Sequence, residues 1–296
     1  MLDFRYHAIS LAAVFLALVI GILAGVGISG RGFVDDAERD SFNRRITELD
    51  GRVDASEQRA DDLERRQAAA QTFVESAYPV LADQRLEGTS VAVLVVGSVD
   101  PTLEWVRRAL ERSGGVLVRM RAVEVPVVSE ELDRSLSSNV ALDGYLGEDE
   151  LDDLGHDLGR ELVSGGEAPL WDLLTPELVG QREGDFDTPA DALVVIRQAE
   201  PQQGDSARFL AGFYAGLAGS GEPVVGVELS RVLQSAIPAF RRSGLSTVDG
   251  IDTPLGALAL ILLLGGAEPG DYGIRDTAED GILPEIEPLP AVTTGE

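Results

Sequence analysis

The sequence predicts a protein of the α/β class, in which an N-terminal transmembrane helix and a short coiled coil precede a mostly parallel sheet flanked by helices. Three observations predict this arrangement. A long apolar stretch lies near the N-terminus, a segment with heptad spacing follows, and apolar strand patterns then alternate with helix patterns. The predicted divisions are a membrane anchor at 1–32, a stalk at 33–82, an α/β domain at 83–268 and an irregular tail at 269–296.

The anchor is predicted from 23 consecutive residues without a charged side chain, Ala8 to Gly30. As a helix, this stretch spans ~34 Å, which is enough to cross a hydrocarbon core of about 30 Å. It lacks the polar face of an amphipathic soluble helix, and it is longer than the ~7–15 apolar residues of a signal peptide. We therefore predict an uncleaved anchor, with a cleaved signal peptide as the alternative.

The charges that flank the anchor predict its orientation. Arg5 and the amino terminus precede the span, whereas Asp35, Asp36 and Glu38 follow it, with Arg31 in between. Because basic residues favour the cytoplasmic side of a membrane, the N-terminus is predicted to be cytoplasmic and the rest of the chain extracytoplasmic.

Two features predict a homo-oligomer. Within the span, Gly21 and Gly25 form a G-x-x-x-G pattern, which allows two membrane helices to approach closely. Between residues 42 and 63, apolar residues recur at intervals of four and three, separated by Arg, Asp and Glu, as in a coiled coil. The seven positions are Phe42, Ile46, Leu49, Val53, Ser56, Ala60 and Leu63, of which all but Ser56 are apolar. The alternative is a single amphipathic helix folded back on the α/β domain.

Repeated strand and helix patterns predict the α/β domain. Val91–Val96 is an apolar strand that ends at Gly97, Pro101 begins a helix, and Val116–Met120 is a second strand, which together form a β-α-β unit with parallel strands. Further strands are predicted at 191–198, 223–229 and 245–248, and further helices at 206–218, 231–240 and 253–266. Together, these strands and helices predict a Rossmann-like, mostly parallel sheet of about four to five strands.

Two other parts of the domain are not predicted to contribute strands to the sheet. Residues 129–180 are predicted to be helical and acidic, with a surface helix at 147–166. The polar segment GQREGDFDTPA, residues 180–190, is predicted to be a loop.

Composition excludes several classes of function. Acidic residues outnumber basic ones by 51 to 24 and the net charge is −27, so nucleic acid would be repelled. The chain has no cysteine, which excludes disulfides, thiolate metal sites and a cysteine nucleophile.

No catalytic motif is found. The first strand-to-helix turn lacks the three-glycine fingerprint, and the chain has no lysine with which to build a P-loop, so Gly97 is predicted to serve a tight turn. There is no G-x-S-x-G motif, and only His156 lies outside the membrane segment. The protein is therefore predicted to be neither an enzyme nor dependent on a cofactor.

One cluster could hold a metal ion. His156 lies close in sequence to Asp152, Asp153 and Asp157, and carboxylates with a histidine can bind a divalent cation. The alternative is a solvated acidic helix with an exposed histidine.

Three stretches carry a resemblance to a known family. FRYHAISLAAVFLALVIGILAGVGI (residues 4–28), LSTVDGIDTPLGALALILLL (245–264) and DYGIR (271–275) resemble segments of the mycobacterial copper-transport protein B (MctB) family. The resemblance covers essentially the whole chain. It implies a non-enzymatic membrane protein that takes part in copper transport or homeostasis at the envelope of actinobacteria, with copper as a possible bound ion.

Two other functions stay open. The stalk and the acidic domain would suit an envelope scaffold that recruits partners without copper chemistry. A Rossmann-like domain would also suit ligand binding, in the crevice at the carboxyl ends of its strands.

Overall fold

The computed structural model describes residues 4–28, 33–99, 101–164 and 168–288. The chain divides into two compact units, Met1–Ala70 and Gln71–Glu296. The predicted charge at Arg31 and residues 289–296 of the predicted tail lie outside the described residues.

Two long helices begin the chain, α1 at Phe4–Ile28 and α2 at Phe33–Ala82. Within α1, the stretch His7–Gly27 is long and apolar enough to cross a membrane, with a mean hydropathy of 2.8 and none of its side chains buried. Helix α2 runs without a break through Gly51. The large apolar residues of the predicted coiled-coil seam are all more than half exposed: Phe42, Ile46, Leu49, Val53 and Leu63.

The second unit is built on a sheet of seven strands, in which every neighbouring pair is parallel except β2 and β3. The strands are β1 Ser90–Val96, β2 Val116–Val123, β3 Val179–Gly184, β4 Ala192–Arg197, β5 Val224–Val227, β6 Ser246–Val248 and β7 Asp271–Tyr272. Their spatial order is β3-β2-β1-β4-β5-β6-β7. The strand order therefore reverses between β1 and β4.

Helices cover both faces of this sheet. They are α3 Pro101–Ser113, α4 Ser129–Leu136, α5 Leu151–Ser164, α6 Pro169–Leu178, α7 Gly204–Ala218, α8 Ile237–Arg242 and α9 Pro254–Leu264. Residues of α4 to α8 join one hydrophobic core and residues of α3 and α9 join the other. Along β1, Leu94 faces the first core, whereas Val93 and Val95 face the second. The central strands are thus buried on both sides, as an apolar parallel sheet requires.

The predicted α/β class with a mostly parallel sheet is confirmed. The predicted strand count of four to five was wrong, because two edge strands gave little signal. The segment predicted as a loop contains residues 180–184 of β3. These residues are exposed and carry no apolar side chain, so the strand forms through its pairing with β2. The segment predicted as an irregular tail contains the two-residue strand β7.

The helix predicted at 231–240 was misplaced, since α8 begins only at Ile237. The Glu228 carboxylate explains this start. It accepts hydrogen bonds from the Ser235 hydroxyl at 2.9 Å and from the Ala236 amide at 2.8 Å. Those bonds fix Ser235 and Ala236 at the start of α8, and residues 229–234 before them form no helix.

Helices α5 and α7 meet through glycine. Each carries a G-x-x-x-G pair, Gly155 with Gly159 and Gly212 with Gly216. A Cβ atom on Gly212 would lie 2.0 Å from the Asp152 carbonyl oxygen, so only glycine permits this distance between the two backbones. The predicted surface helix is therefore half buried, with Leu151, Leu154 and Leu158 in the core.

We predict that Gly212→Ala destabilises the second unit by about 2–3 kcal/mol, because the new methyl group must push the two helix backbones apart. In an uncrowded helix interior the same change would stabilise by up to about 1 kcal/mol, so the sign of the effect is itself the test. Urea unfolding of the full chain, followed by the fluorescence of the buried Trp171, measures it.

Gly144→Ala is the matched control, because nothing lies within 4 Å of a Cβ atom at that position. If Gly212→Ala and Gly144→Ala had the same free energy of unfolding, the close approach of α5 and α7 would not depend on glycine at position 212.

Candidate functional site at the carboxyl edge of the sheet

The carboxyl ends of β1, β4, β5 and β6 meet at one edge of the sheet, where ligands bind in open α/β folds. The strand order reverses between β1 and β4, and there the backbone after β1 packs closely against the backbone after β4. Gly97 has φ +100°, and a Cβ atom there would lie 2.9 Å from the Ala199 amide nitrogen. The interpretation of Gly97 as a tight-turn residue is therefore supported.

Glu228 follows β5 and is only 5 % exposed. Its carboxylate forms an ion pair with Arg275, in addition to the bonds from Ser235 and Ala236. All of these donors come from loops that end at the same edge. Glu228 therefore ties the loop after β5 to the segment after β7.

Asp249 follows β6 and is 2 % exposed. It accepts hydrogen bonds from the Ile274 amide at 2.7 Å, from the Arg275 amide at 3.2 Å and from the Thr277 hydroxyl at 2.9 Å. The carboxylate thus holds the segment after β7 in place through three donors.

Asp252 completes this network. It accepts from the amide and the hydroxyl of Ser230, at 2.6 and 2.7 Å. Next to it, the Thr253 hydroxyl accepts from the Gly256 amide and caps the buried helix α9. The TVDGIDT sequence is therefore a loop-fastening motif. Its two aspartates are occupied by donors of the chain, which does not favour a role as metal ligands or as acid–base groups.

The predicted metal candidates lie on α5. The Nδ1 atom of His156 is 3.2 Å from Asp157, whose other oxygen accepts from the Tyr145 hydroxyl at 2.6 Å. The Tyr145 bond lowers the pKa of Asp157 and raises the pKa of Tyr145 to about 12. Within the described ranges, no three His, Asp or Glu side chains converge as a metal site requires. A metal ion at His156, Asp152 and Asp153 stays a prediction.

A cavity of about 500 Å³, missed by the sequence analysis, lies at the end of β4. Its wall includes Asp152 of α5, Arg197 of β4, Tyr214 of α7 and Arg242 of α8. The one signal in the sequence was an arginine that ends the otherwise apolar strand ALVVIR. The other members are far apart in the chain and only the fold brings them together.

The fold and this edge define a class of protein: an α/β domain that follows a long apolar helix in the same chain. The family model described as "Copper transport outer membrane protein, MctB" matches residues 1–283. The chain belongs to this family.

Curated relatives agree with the family match. A "Copper transporter MctB" of Mycobacterium tuberculosis is 27 % identical over 307 residues, which cover 92 % of this chain and 96 % of the relative. One of Mycobacterium leprae is 26 % identical over 322 residues, covering 96 % of this chain and all of the relative.

We predict that Asp249→Asn lowers the free energy of unfolding by about 2–3 kcal/mol, because an amide group would face backbone donors that now bind a carboxylate. The variant should also become sensitive to limited proteolysis between residues 273 and 277. Urea unfolding and mass spectrometry of the fragments measure the two effects.

Asp187→Asn, at an exposed carboxylate, is the control and should leave both properties unchanged. If Asp249→Asn resisted proteolysis at residues 273–277 and unfolded at the same urea concentration as the wild type, the hydrogen bonds of Asp249 would not be what holds this segment.

Proposed function

We propose that this protein is a single-span, membrane-anchored member of the MctB family that takes part in copper transport or homeostasis at the cell envelope, without catalysing a reaction. Its N-terminus is cytoplasmic and its α/β domain is extracytoplasmic. The observation that supports the proposal is the apolar stretch His7–Gly27, none of which is buried, in a chain that the copper-transport family model matches over residues 1–283.

The proposal that the protein does not catalyse a reaction is supported by the hydrogen bonds that the carboxylates at the sheet edge already accept. Glu228, Asp249 and Asp252 each accept at least two hydrogen bonds from donors of the chain. A general base or a nucleophile would need a free position toward a substrate.

The chemistry of copper limits what the described domain does with the metal. Copper(I) favours thiolate and thioether ligands. The chain has no cysteine, and Met120 is only 1 % exposed within the core. We therefore place the contribution of this protein in assembly and positioning at the membrane, rather than in a sulfur-lined copper(I) path through the domain.

Self-association supports this role and also the scaffold alternative. A row of apolar side chains on α2 stays exposed, and a second copy of the helix could cover it. A chain with one apolar span encloses a path across a bilayer only as part of an assembly.

Copper tolerance tests the proposed function. We expect a strain that lacks the gene to change its growth in copper and its cell-associated copper, measured by elemental mass spectrometry. The full chain should restore both, whereas a chain without residues 1–32 should not, because its domain would stay in the cytoplasm.

Unchanged copper growth and copper content in the deletion strain would contradict the copper role. If crosslinking then recovered a defined envelope partner, the scaffold function would replace it.

Association through the stalk has its own test. Leu49→Asp places a charge in the middle of the exposed apolar row, so we expect the purified full-length oligomer to dissociate to smaller species in analytical ultracentrifugation. Glu48→Asp, one residue away among the charged positions, is the control and should leave the mass unchanged. A monomeric wild-type chain would refute the coiled coil.

A further inference from the structure

The cavity at the end of β4 has the position, size and polar groups of a small-molecule site. It begins at Arg197, the last residue of β4 at the carboxyl edge of the sheet, and extends along α7 and α8. Its volume of about 500 Å³ lies within the range of pockets that hold small organic ligands. No part of the copper proposal uses it.

Two cations line this cavity without an anionic partner. Arg197 donates to the carbonyl oxygen of Ser235 at 2.9 Å, which fixes its guanidinium group in position. The Nε atom of Arg242 donates to the Pro238 carbonyl at 3.0 Å. Within the described ranges, neither arginine forms an ion pair with a carboxylate, although the chain carries a large excess of acidic residues.

Two polar atoms at the wall of the cavity are buried and lack a hydrogen-bond partner among the described residues, the Nε of Arg197 and the hydroxyl of Tyr214. Tyr214 is only 3 % exposed. Both atoms lie beneath the surface of the cavity, so a bound molecule is contacted by the terminal guanidinium nitrogens of the two arginines rather than by these atoms. Burial raises the pKa of Tyr214, with the charge of Arg197 opposing, which keeps the hydroxyl a neutral donor.

Aliphatic side chains form another part of the wall. Leu210 and Ala211 of α7 and Ala239 of α8 contribute small aliphatic surfaces beside the two arginines. This combination suits a molecule with an anionic group at one end and an apolar body at the other. Asp152 adds one carboxylate, which could accept from a hydroxyl or ammonium group of the same molecule.

We propose that this cavity binds a small organic oxyanion, a carboxylate or a phosphate ester with an apolar body, whose anionic group is held by Arg197 and Arg242.

Calorimetric titration of the full chain in detergent micelles tests the site with three probes: phenyl phosphate, inorganic phosphate and neutral benzamide. We expect saturable binding of phenyl phosphate, weaker binding of inorganic phosphate because it lacks the apolar body, and none of benzamide. Arg197→Gln and Arg242→Gln should each weaken phenyl phosphate binding by roughly tenfold or more, as expected for the loss of a charge-assisted hydrogen bond.

Arg231→Gln removes the same charge from an exposed position that does not line the cavity, and should bind as the wild type does. Arg242 is exposed, so Arg242→Gln is expected to fold normally. This variant therefore tests the site even if Arg197→Gln does not fold. The proposal is overturned if phenyl phosphate does not bind up to about 10 mM, a free energy too small for a specific site. It is also overturned if Arg242→Gln binds like the wild type, or if benzamide binds equally well.

Discussion

The apolar surface of α1 is the constraint on which the account of this protein depends. None of the side chains in His7–Gly27 is buried by the described residues. At roughly 25 cal/mol per Å² of apolar surface, a helix of this kind cannot stay in water as a separate element. Its backbone polar groups are satisfied within the helix, which is what a bilayer requires of a spanning segment. A bilayer, or another apolar partner, must therefore cover it.

In the second unit, carboxylate side chains hold several loops together at one edge of the sheet. Glu228, Asp249 and Asp252 each accept hydrogen bonds from another segment of the chain, and Glu228 also forms an ion pair with Arg275. On the face of the sheet that α4 to α8 cover, the paired glycines of α5 and α7 bring the backbones of these two helices into contact.

The parts of the fold that the sequence predicted well are those with a strong local pattern. The apolar run Val91–Val96 and the wholly apolar helix α9 can only be buried, so their type and position follow from composition. Strand β3 was missed because its residues are polar and only the partner strand β2 makes it a strand. The cavity was missed for a similar reason, since Arg197, Tyr214 and Arg242 carry no motif and converge only in the folded domain.

The side of the membrane on which the α/β domain lies is the most direct test of the account. The chain has no cysteine, so Asp83→Cys, at an exposed position, introduces a single thiol for labelling. In intact spheroplasts, a maleimide that does not cross membranes should label this thiol in a protein that still carries its N-terminal peptide. Labelling only after lysis, or a mature chain that begins downstream of Gly30, would contradict an anchored domain outside the cytoplasm.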